Sequence, residues 1–342
     1  TDLLASQPTI TRLENHVGKS EVAAMRSRMV DGFINSYQSA PKEIVLDIDG
    51  WDDPTHGNQQ LSCFHGYYGQ HMYFPVLINE ASTGYPLVLQ LRAGNSHSGK
   101  GVAGILRWLF WRLKRVWPTV RLILRADAGF SLPEVIEVCE RSEVGYAFGF
   151  SRNAVLERKI ADLLERARLQ HIKTQQKARL FDDVYYAAGT WDAPRRLVMK
   201  AEWLDKGPNP RFVVTNLELP AQELYDNFYV KRGCDSEHRI KELKLGIKAD
   251  RLSCSTFIAN QFRLLLCQAA YILTIAIRHA AAGTQLAKTQ VERLRLLLIK
   301  GAAKVTVSAR RILVELAAFC PFADEMRQIT RNLSRFQSLK FE

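Results

Sequence analysis

Asp49 closes the apolar run Glu43-Ile-Val-Leu-Asp-Ile-Asp49, and Asp127 closes a second, Val120-Arg-Leu-Ile-Leu-Arg-Ala-Asp127. Glu237 stands near the start of a helical stretch, Tyr229-Val-Lys-Arg232-Gly-Cys-Asp-Ser-Glu237-His-Arg-Ile-Lys-Glu-Leu-Lys244. A carboxylate at the end of a buried strand is costly to ionise without compensation. Where several carboxylates converge, a divalent cation is the usual compensator, and it activates an oxygen nucleophile toward phosphorus. Asp49, Asp127 and Glu237 are therefore the predicted catalytic and metal-binding set. A few carboxylates, phosphate oxygens and waters suit Mg2+, with Mn2+ as its substitute. Asp47 lies two residues from Asp49, on the same side of the strand. It is the alternative first acid, and Asp49, at the strand end, is preferred.

The stretch around Glu237 carries a second signal. At about 100° per residue, Lys241 falls about 40° from Glu237, Lys244 about −20° and Lys248 about 20°. One face then presents a carboxylate followed by ammonium groups, suited to a metal-bound phosphate with neighbouring phosphates held by lysine. Taken alone, Glu237 and Lys241 would read as an ordinary surface pair worth a few tenths of a kcal/mol. The two aspartates tip the balance.

These groups need a scaffold. Residues 1–40 read as a helical N-terminal segment, with Ser20 able to cap a helix over 22–37. Strand patterns follow at 43–49, 61–68, 72–79 and 86–92, the middle two as one long strand or a bent hairpin arm. A helix over 99–116, a strand over 119–126, a helix over 133–141 and a strand over 145–150 complete the order β-β-β-α-β-α-β. A meander followed by parallel βα units predicts an α/β, ribonuclease H-like mixed sheet with flanking helices. Asp49 then falls on its first strand and Asp127 on its fourth. The core occupies 41–150 and is completed by 221–254. Residues 151–220 read as a β-rich insertion, containing a charged helix and strands near 180–188, 195–204 and 211–216. Residues 255–342 read as a helical C-terminal region. The chain starts at Thr1 in sequence that reads as mid-domain, so an N-terminal segment is expected to be missing.

Four segments, in order, resemble the DDE transposases of bacterial insertion sequences, in the branch named transposase DDE domain group 1. They are Leu46-Asp-Ile-Asp49 with Asp53-Pro-Thr-His56-Gly57 and Gln60; Arg125-Ala-Asp127-Ala-Gly129-Phe130; Arg211-Phe-Val-Val-Thr-Asn216; and Arg232-Gly233, Glu237 and Ile240-Lys-Glu-Leu-Lys244. The likeness covers nearly the whole chain. It implies a ribonuclease H-like core, a β-strand insertion between the second and third acids, and two divalent ions. It also implies a signature Tyr-x2-Arg-x3-Glu-x6-Lys, met by Tyr229, Arg232, Glu237 and Lys244 with one departure. Four residues separate Arg232 from Glu237 where the signature has three. By the same resemblance Tyr229, Arg232 and Lys244 contact phosphates near the transposon end. Strand cleavage at terminal inverted repeats, transfer into target DNA and a homodimer on double-stranded DNA are implied. A hairpin step would expose a base, and Trp191 or Trp203 could stack on it; ordinary packing is the alternative for each.

The bulk properties agree with a DNA partner. The 342 residues carry a formal net charge of +12 and an isoelectric point near 9.5, which favours a polyanion. Six scattered cysteines without a C-x-x-C pair suggest reduced thiols. A cytoplasmic, nucleoid-associated protein with no membrane span is expected, because Asn260, Gln261, Arg263 and Gln268 interrupt the longest apolar stretch. Two motifs are weighed as decoys. Gly94-Asn-Ser-His-Ser-Gly99-Lys100 approximates a phosphate-binding P-loop, but Gly101 replaces the hydroxyl residue that holds Mg2+. His56, Cys63, His65 and His71 match no standard zinc spacing. The alternatives to a transposase are a catalytically inactive basic DNA-binding derivative and, well behind it, a P-loop nucleotide triphosphatase.

Overall fold

The structure is a computed structural model that describes residues 5–335. Two helices come first, α1 (Gln7–His16) and α2 (Lys19–Asn35). Strands β1 (Glu43–Gly50), β2 (Asp53–Pro54), β3 (Cys63–His65), β4 (Gln70–Tyr73), β5 (Val76–Glu80) and β6 (Pro86–Gln90) follow. Then come α3 (Val102–Val116), β7 (Arg121–Ala126), α4 (Pro133–Arg141), β8 (Gly145–Phe150) and α5 (Ala154–Thr174). The next strands are β9 (Ala178–Tyr186), β10 (Arg195–Leu204), β11 (Gly207–Pro208) and β12 (Arg211–Thr215). Beyond them lie α6 (Ala221–Glu223), α7 (Lys231–Lys241), α8 (Phe257–Ala280), α9 (Val291–Leu294), the strands β13 (Ala303–Ser308) and β14 (Arg311–Leu316), and α10 (Ala323–Arg335).

The main sheet runs β11-β10-β12-β8-β7-β1-β5-β6, with β9 along the outside of β10. β1, β5 and β6 form the antiparallel meander, while β7 and β8 continue parallel to β1. This is the ribonuclease H-like arrangement expected. The central strands are buried on both faces, and their sequences are correspondingly near-continuous runs of Val, Ile and Leu. α3 places Val102, Leu106, Leu109, Phe110 and Leu113 on one buried stripe, the spacing of a helix lying on a sheet.

Polar residues that break the apolar run of α8 protect the sheet edge. Gln261 accepts hydrogen bonds from Leu91 N and Gln90 Nε2, both at 2.7 Å, and donates to Leu89 O. Gln268 donates to Pro86 O at 2.8 Å. The open edge of β6 is thereby capped by side-chain amides. By length and composition α8 could cross a membrane, but these amides belong to the fold's own hydrogen bonding.

Two expectations are corrected and a third is made specific. Residues 61–79 do not form one arm: β4 pairs with β2 and β3 in a small separate sheet, and β5 belongs to the main one. Pro75, with no N–H to donate, separates them. The strands of 151–220 gain their partners: β12 pairs with β8, so this β-rich stretch extends the main sheet. The C-terminal region is not wholly helical: β13 and β14 form a hairpin whose one face is Ala303, Val305, Val307, Ile312, Val314 and Leu316. Its β-branched enrichment favours strand over helix.

Buried between β1 and β7 is an ion pair that locks their register. Asp47 sits opposite Arg125 and is fully buried. Arg125 Nε donates to Asp47 Oδ1 at 2.7 Å, Nη2 to Oδ2 at 2.8 Å, and Nη1 to Phe228 O at 2.7 Å. Asp47, the alternative first acid, is therefore committed to Arg125. Asp47→Ala should cost about 3–5 kcal/mol in urea denaturation, because it strands a buried guanidinium. A double replacement by apolar residues of similar volume should cost much less, and an equal cost would refute this account.

Candidate active site

Asp49 and Asp127 extend two residues beyond the Asp47–Arg125 pair, at the same end of neighbouring parallel strands. Each has one oxygen fixed by a local backbone N–H. Gly50 N donates to Asp49 Oδ1 at 2.8 Å, and Gly129 N donates to Asp127 Oδ1 at 2.9 Å. The second is a cap on the short turn Ala128–Phe130. Asp49 Oδ2 lies 3.2 Å from Arg232 Nη1. Burial raises the Asp49 carboxyl to about 6, with Arg232 opposing and the charge of Asp127 adding to the rise. Two carboxylates that feel each other in a desolvated cleft offer the hard oxygen donors that a divalent ion prefers.

Tyr229 and Arg232 complete the cluster. Burial raises the Tyr229 phenol, Arg232 lowers it, and Asp127 raises it further. Its hydroxyl packs against Gly149, where a Cβ would come within 2.5 Å of it. A side chain at 149 would thus displace the tyrosine from the acids. The loop after β6 buttresses them from the other side. Arg92 Nε donates to Phe74 O at 3.0 Å, and its Nη1 donates to the carbonyls of His97, Ser98 and Lys100. Ser98 in turn abuts Gly129, 2.8 Å from where a Cβ would stand. A P-loop turns its N–H groups inward onto phosphate. Here carbonyls turn inward onto an arginine, so the Gly94–Gly101 segment supports the Asp127 turn instead.

Glu237 is not brought to the pair. It is exposed on α7, five residues and therefore about 140° from Arg232. The inward stripe of α7 and the turn after it is Arg232, Ser236, Arg239 and Leu243. Ser236 and Leu243 are fully buried, and Arg239 Nη2 donates to Ala81 O at 2.6 Å. The extra residue noted in the signature puts Ser236 at the inward position four after Arg232. Its hydroxyl has no hydrogen-bond partner. Among the described residues no group of three or more His, Cys, Asp and Glu side chains gathers to hold a metal ion.

The lysine stripe is also broken. α7 ends at Lys241, and Glu242–Ile247 is a π-helical turn that changes the rotation per residue. Lys241 is exposed. Lys244 turns back to donate to Asp52 O at 3.1 Å and Oδ1 at 3.2 Å. Lys248 ends the turn in the left-handed region at φ 67°. Trp191 is packed edge-on against Phe150 and Tyr186 and lies under Arg195. Trp203 is half-buried on β10, separated from β7 by β12 and β8. Of the zinc decoy, Cys63 and His65 share one face of β3, while His71 sits opposite Phe64.

One group escaped the sequence reading. The β3–β4 turn, His65-Gly-Tyr-Tyr-Gly-Gln70, holds Tyr67 at 87% exposure, with Tyr68 stacked edge-on beside it at 5.0 Å. Burial raises the Tyr68 phenol, and Asp52, Asp49 and Asp127 are among the charges that raise it further. The turn therefore lies within electrostatic reach of the acids. Two aromatic residues between glycines, in a turn that does not bury them, were the available signal.

A family model described as transposase DDE domain group 1 matches residues 1–338. A comparison with curated proteins finds no match. Among solved structures the chain is similar to a piggyBac transposase synaptic complex with hairpin DNA, at TM-score 0.39 and 11% identity. That similarity covers 75% of this chain and 51% of that one, so the chain spans about half the length of that transposase. It is also similar to Endonuclease V of Ciona intestinalis in complex with an inosine-containing DNA, at TM-score 0.30 and 11% identity, over 67% of this chain and 99% of that one.

Proposed function

The chain belongs to the transposase DDE domain group 1 family, and from that premise we propose that it cuts DNA at the ends of an insertion sequence and joins them to target DNA. The observation that carries the reading is the Asp49–Asp127 pair, side by side at the ends of β1 and β7 and electrostatically coupled. Asp49 and Asp127 would hold divalent metal, two Mg2+ or Mn2+ ions, which when bound supplies an activated oxygen nucleophile and stabilises the leaving oxygen. Arg232 and Tyr229, beside the pair, take backbone phosphates of the transposon end, and exposed Lys241 and half-buried Lys248 are assigned to other phosphates of the same DNA. Lys244 reaches DNA only by leaving Asp52.

Glu237 is the third acid in this proposal. To reach the pair, α7 has to turn by about one residue, roughly 100°. Each end of α7 adjoins a π-helical turn, Leu224–Tyr229 and Glu242–Ile247. A π turn stores one extra residue in a helix, which is the slack such a rotation uses. The partner is double-stranded DNA, terminal repeats and target alike, held by a homodimer in the cytoplasm. The test is Mg2+-dependent cleavage of DNA bearing the element's ends. Cleavage that survives in both Asp49→Ala and Asp127→Ala would sink the proposal.

Tyr67 and Tyr68 are proposed to stack on bases beside the scissile phosphate, a role first considered for Trp191 and Trp203. Tyr67→Ala should weaken binding of end DNA by roughly tenfold, the scale of one base–aromatic stack, without changing the melting temperature. Equal affinity in a gel-shift titration would remove Tyr67 from the interface.

A further inference from the structure

A second acidic pair lies apart from the catalytic one. Asp53, on β2, is 1% exposed, and neither of its carboxylate oxygens has a hydrogen-bond partner. Asp250, two residues after the left-handed Lys248, likewise has a buried Oδ1 with no partner. After burial, Asp250 is the strongest influence on Asp53, ahead of Lys244 and Asp52. Lys244 is hydrogen-bonded to Asp52 instead. Arg263, near Asp250 on the same groove, is engaged with Glu14 and Ser253. Asp53 and half-buried Asp250 are thus close enough to feel each other's charge, each with a buried oxygen that no hydrogen bond satisfies, while Lys244 and Arg263 are engaged elsewhere.

Leaving such a pair uncompensated is expensive, because each unmet carboxylate carries its own desolvation cost. A proton held between the two carboxyls is the other way to offset that cost. Asp250 lines a groove with Pro54, His56, Gln59, Leu252 and Arg263, and Asp53 lies next to Pro54 in the chain but is itself buried behind that lining. That groove is a route in for a small hydrated ion.

We propose that Asp53 and Asp250 bind a structural divalent cation, of the hard, oxygen-preferring class to which Mg2+ belongs, at a site separate from Asp49 and Asp127. Such an ion takes one or two carboxylates and completes its shell with water. The site has a clear mechanical consequence. β2 follows the strand that ends in Asp49, and Asp250 follows the helical segment that carries Arg232 and Glu237. A cation between them would fasten the turn leaving the first acid to the turn leaving the third. The same junction is already tied by Gln59, whose Nε2 donates to Leu252 O and Cys254 O.

The experiment uses the full chain carrying Asp49→Ala and Asp127→Ala, so that the catalytic pair binds nothing. Mg2+ or Mn2+ alone is titrated by calorimetry, and thermal unfolding is followed with and without the ion. One binding site is expected, with a rise in Tm of roughly 4 °C at about 100 times its dissociation constant. Adding Asp53→Asn and Asp250→Asn should abolish both signals while leaving a cooperative transition in chelator. If that variant fails to fold, Asp250→Asn alone, at a half-buried turn position, serves the same purpose. No binding in the catalytic-acid double variant overturns the proposal, as does a Tm shift that survives the asparagine substitutions. A pair held together by a shared proton would show as a Tm that responds to pH and not to the cation, and this too overturns it. None of these outcomes depends on DNA cleavage, so the site stands or falls separately from the proposed reaction.

Discussion

Asp127→Asn should abolish metal-dependent cleavage of end DNA, by at least about 10^3-fold, while leaving the protein folded and DNA-bound. The amide keeps the shape of the side chain, and its oxygen can still accept from Gly129 N as the carboxylate does now. What is lost is one of the two negative charges that would hold metal. The same substitution has a second, opposite effect on stability. The Asp49 carboxyl is raised from 3.8 to about 6 in the folded chain, by burial first and by the charge of Asp127 among the smaller causes. A raised folded pKa means the native state holds the proton more tightly than the unfolded chain does. That stabilising contribution is complete below pH 3.8 and disappears as pH rises through about 6. Its full size is on the order of 3 kcal/mol. Removing the Asp127 charge should return part of it, so in chelator the variant should lose less stability than wild type between pH 4 and 7. Cleavage near the wild-type rate, or an unfolding profile with an unaltered slope, would contradict the pairing of these two acids.

Glu237→Gln is expected to lower cleavage by roughly 10^2–10^3-fold, although the glutamate is exposed in the structure. Ser236→Ala, at the buried inward position, should change it little. The sharper test removes one residue. Deleting Gly233, where an added Cβ would meet nothing within 4 Å, restores three intervening residues between Arg232 and the glutamate. That places the glutamate four positions after Arg232 and about 40° from it, on the inward stripe, with no rotation required. The deletion variant should cut at least as well as wild type. Full activity in Glu237→Gln would show that the third acid lies elsewhere. An inactive deletion variant that still binds DNA would show that the rotation of α7 is part of the working cycle and cannot be fixed in advance.

The proposed cation at Asp53 and Asp250 bears on that rotation. It would anchor the chain just beyond the second π turn, so that slack is taken up within 231–247 and does not pass into α8. α8 itself is pinned along β6 by Gln261 and Gln268, which leaves α7 as the segment free to turn between two fixed ends.

Much of the architecture was legible from local pattern. Strand 145–150 and helix 133–141 coincide with β8 and α4, because a short run bounded by turn residues carries its own period and its own ends. Asp49 and Asp127 were found for the same reason: each closes an apolar run, and a run that ends in a carboxylate marks where a strand leaves the core. Choosing between Asp47 and Asp49 needed the neighbouring strand. Alternation puts both on one side, and only the parallel register of β1 with β7 shows that Arg125 claims Asp47. The strands of 151–220 were recognised, but their partners were not, since joining β8 is a pairing across more than sixty residues.

The position of Glu237 shows most plainly where the sequence stops. Its helix, and the one-residue excess before it, are written in the chain. Which face of that helix meets β1 is decided by what packs there: Ser236 and Leu243 buried, Arg232 on Asp49, Arg239 on Ala81. Periodicity states which residues share a face; contacts with distant strands choose the face that turns inward, because a helix can rotate by one residue at little local cost while its burial and ion pairs change all at once.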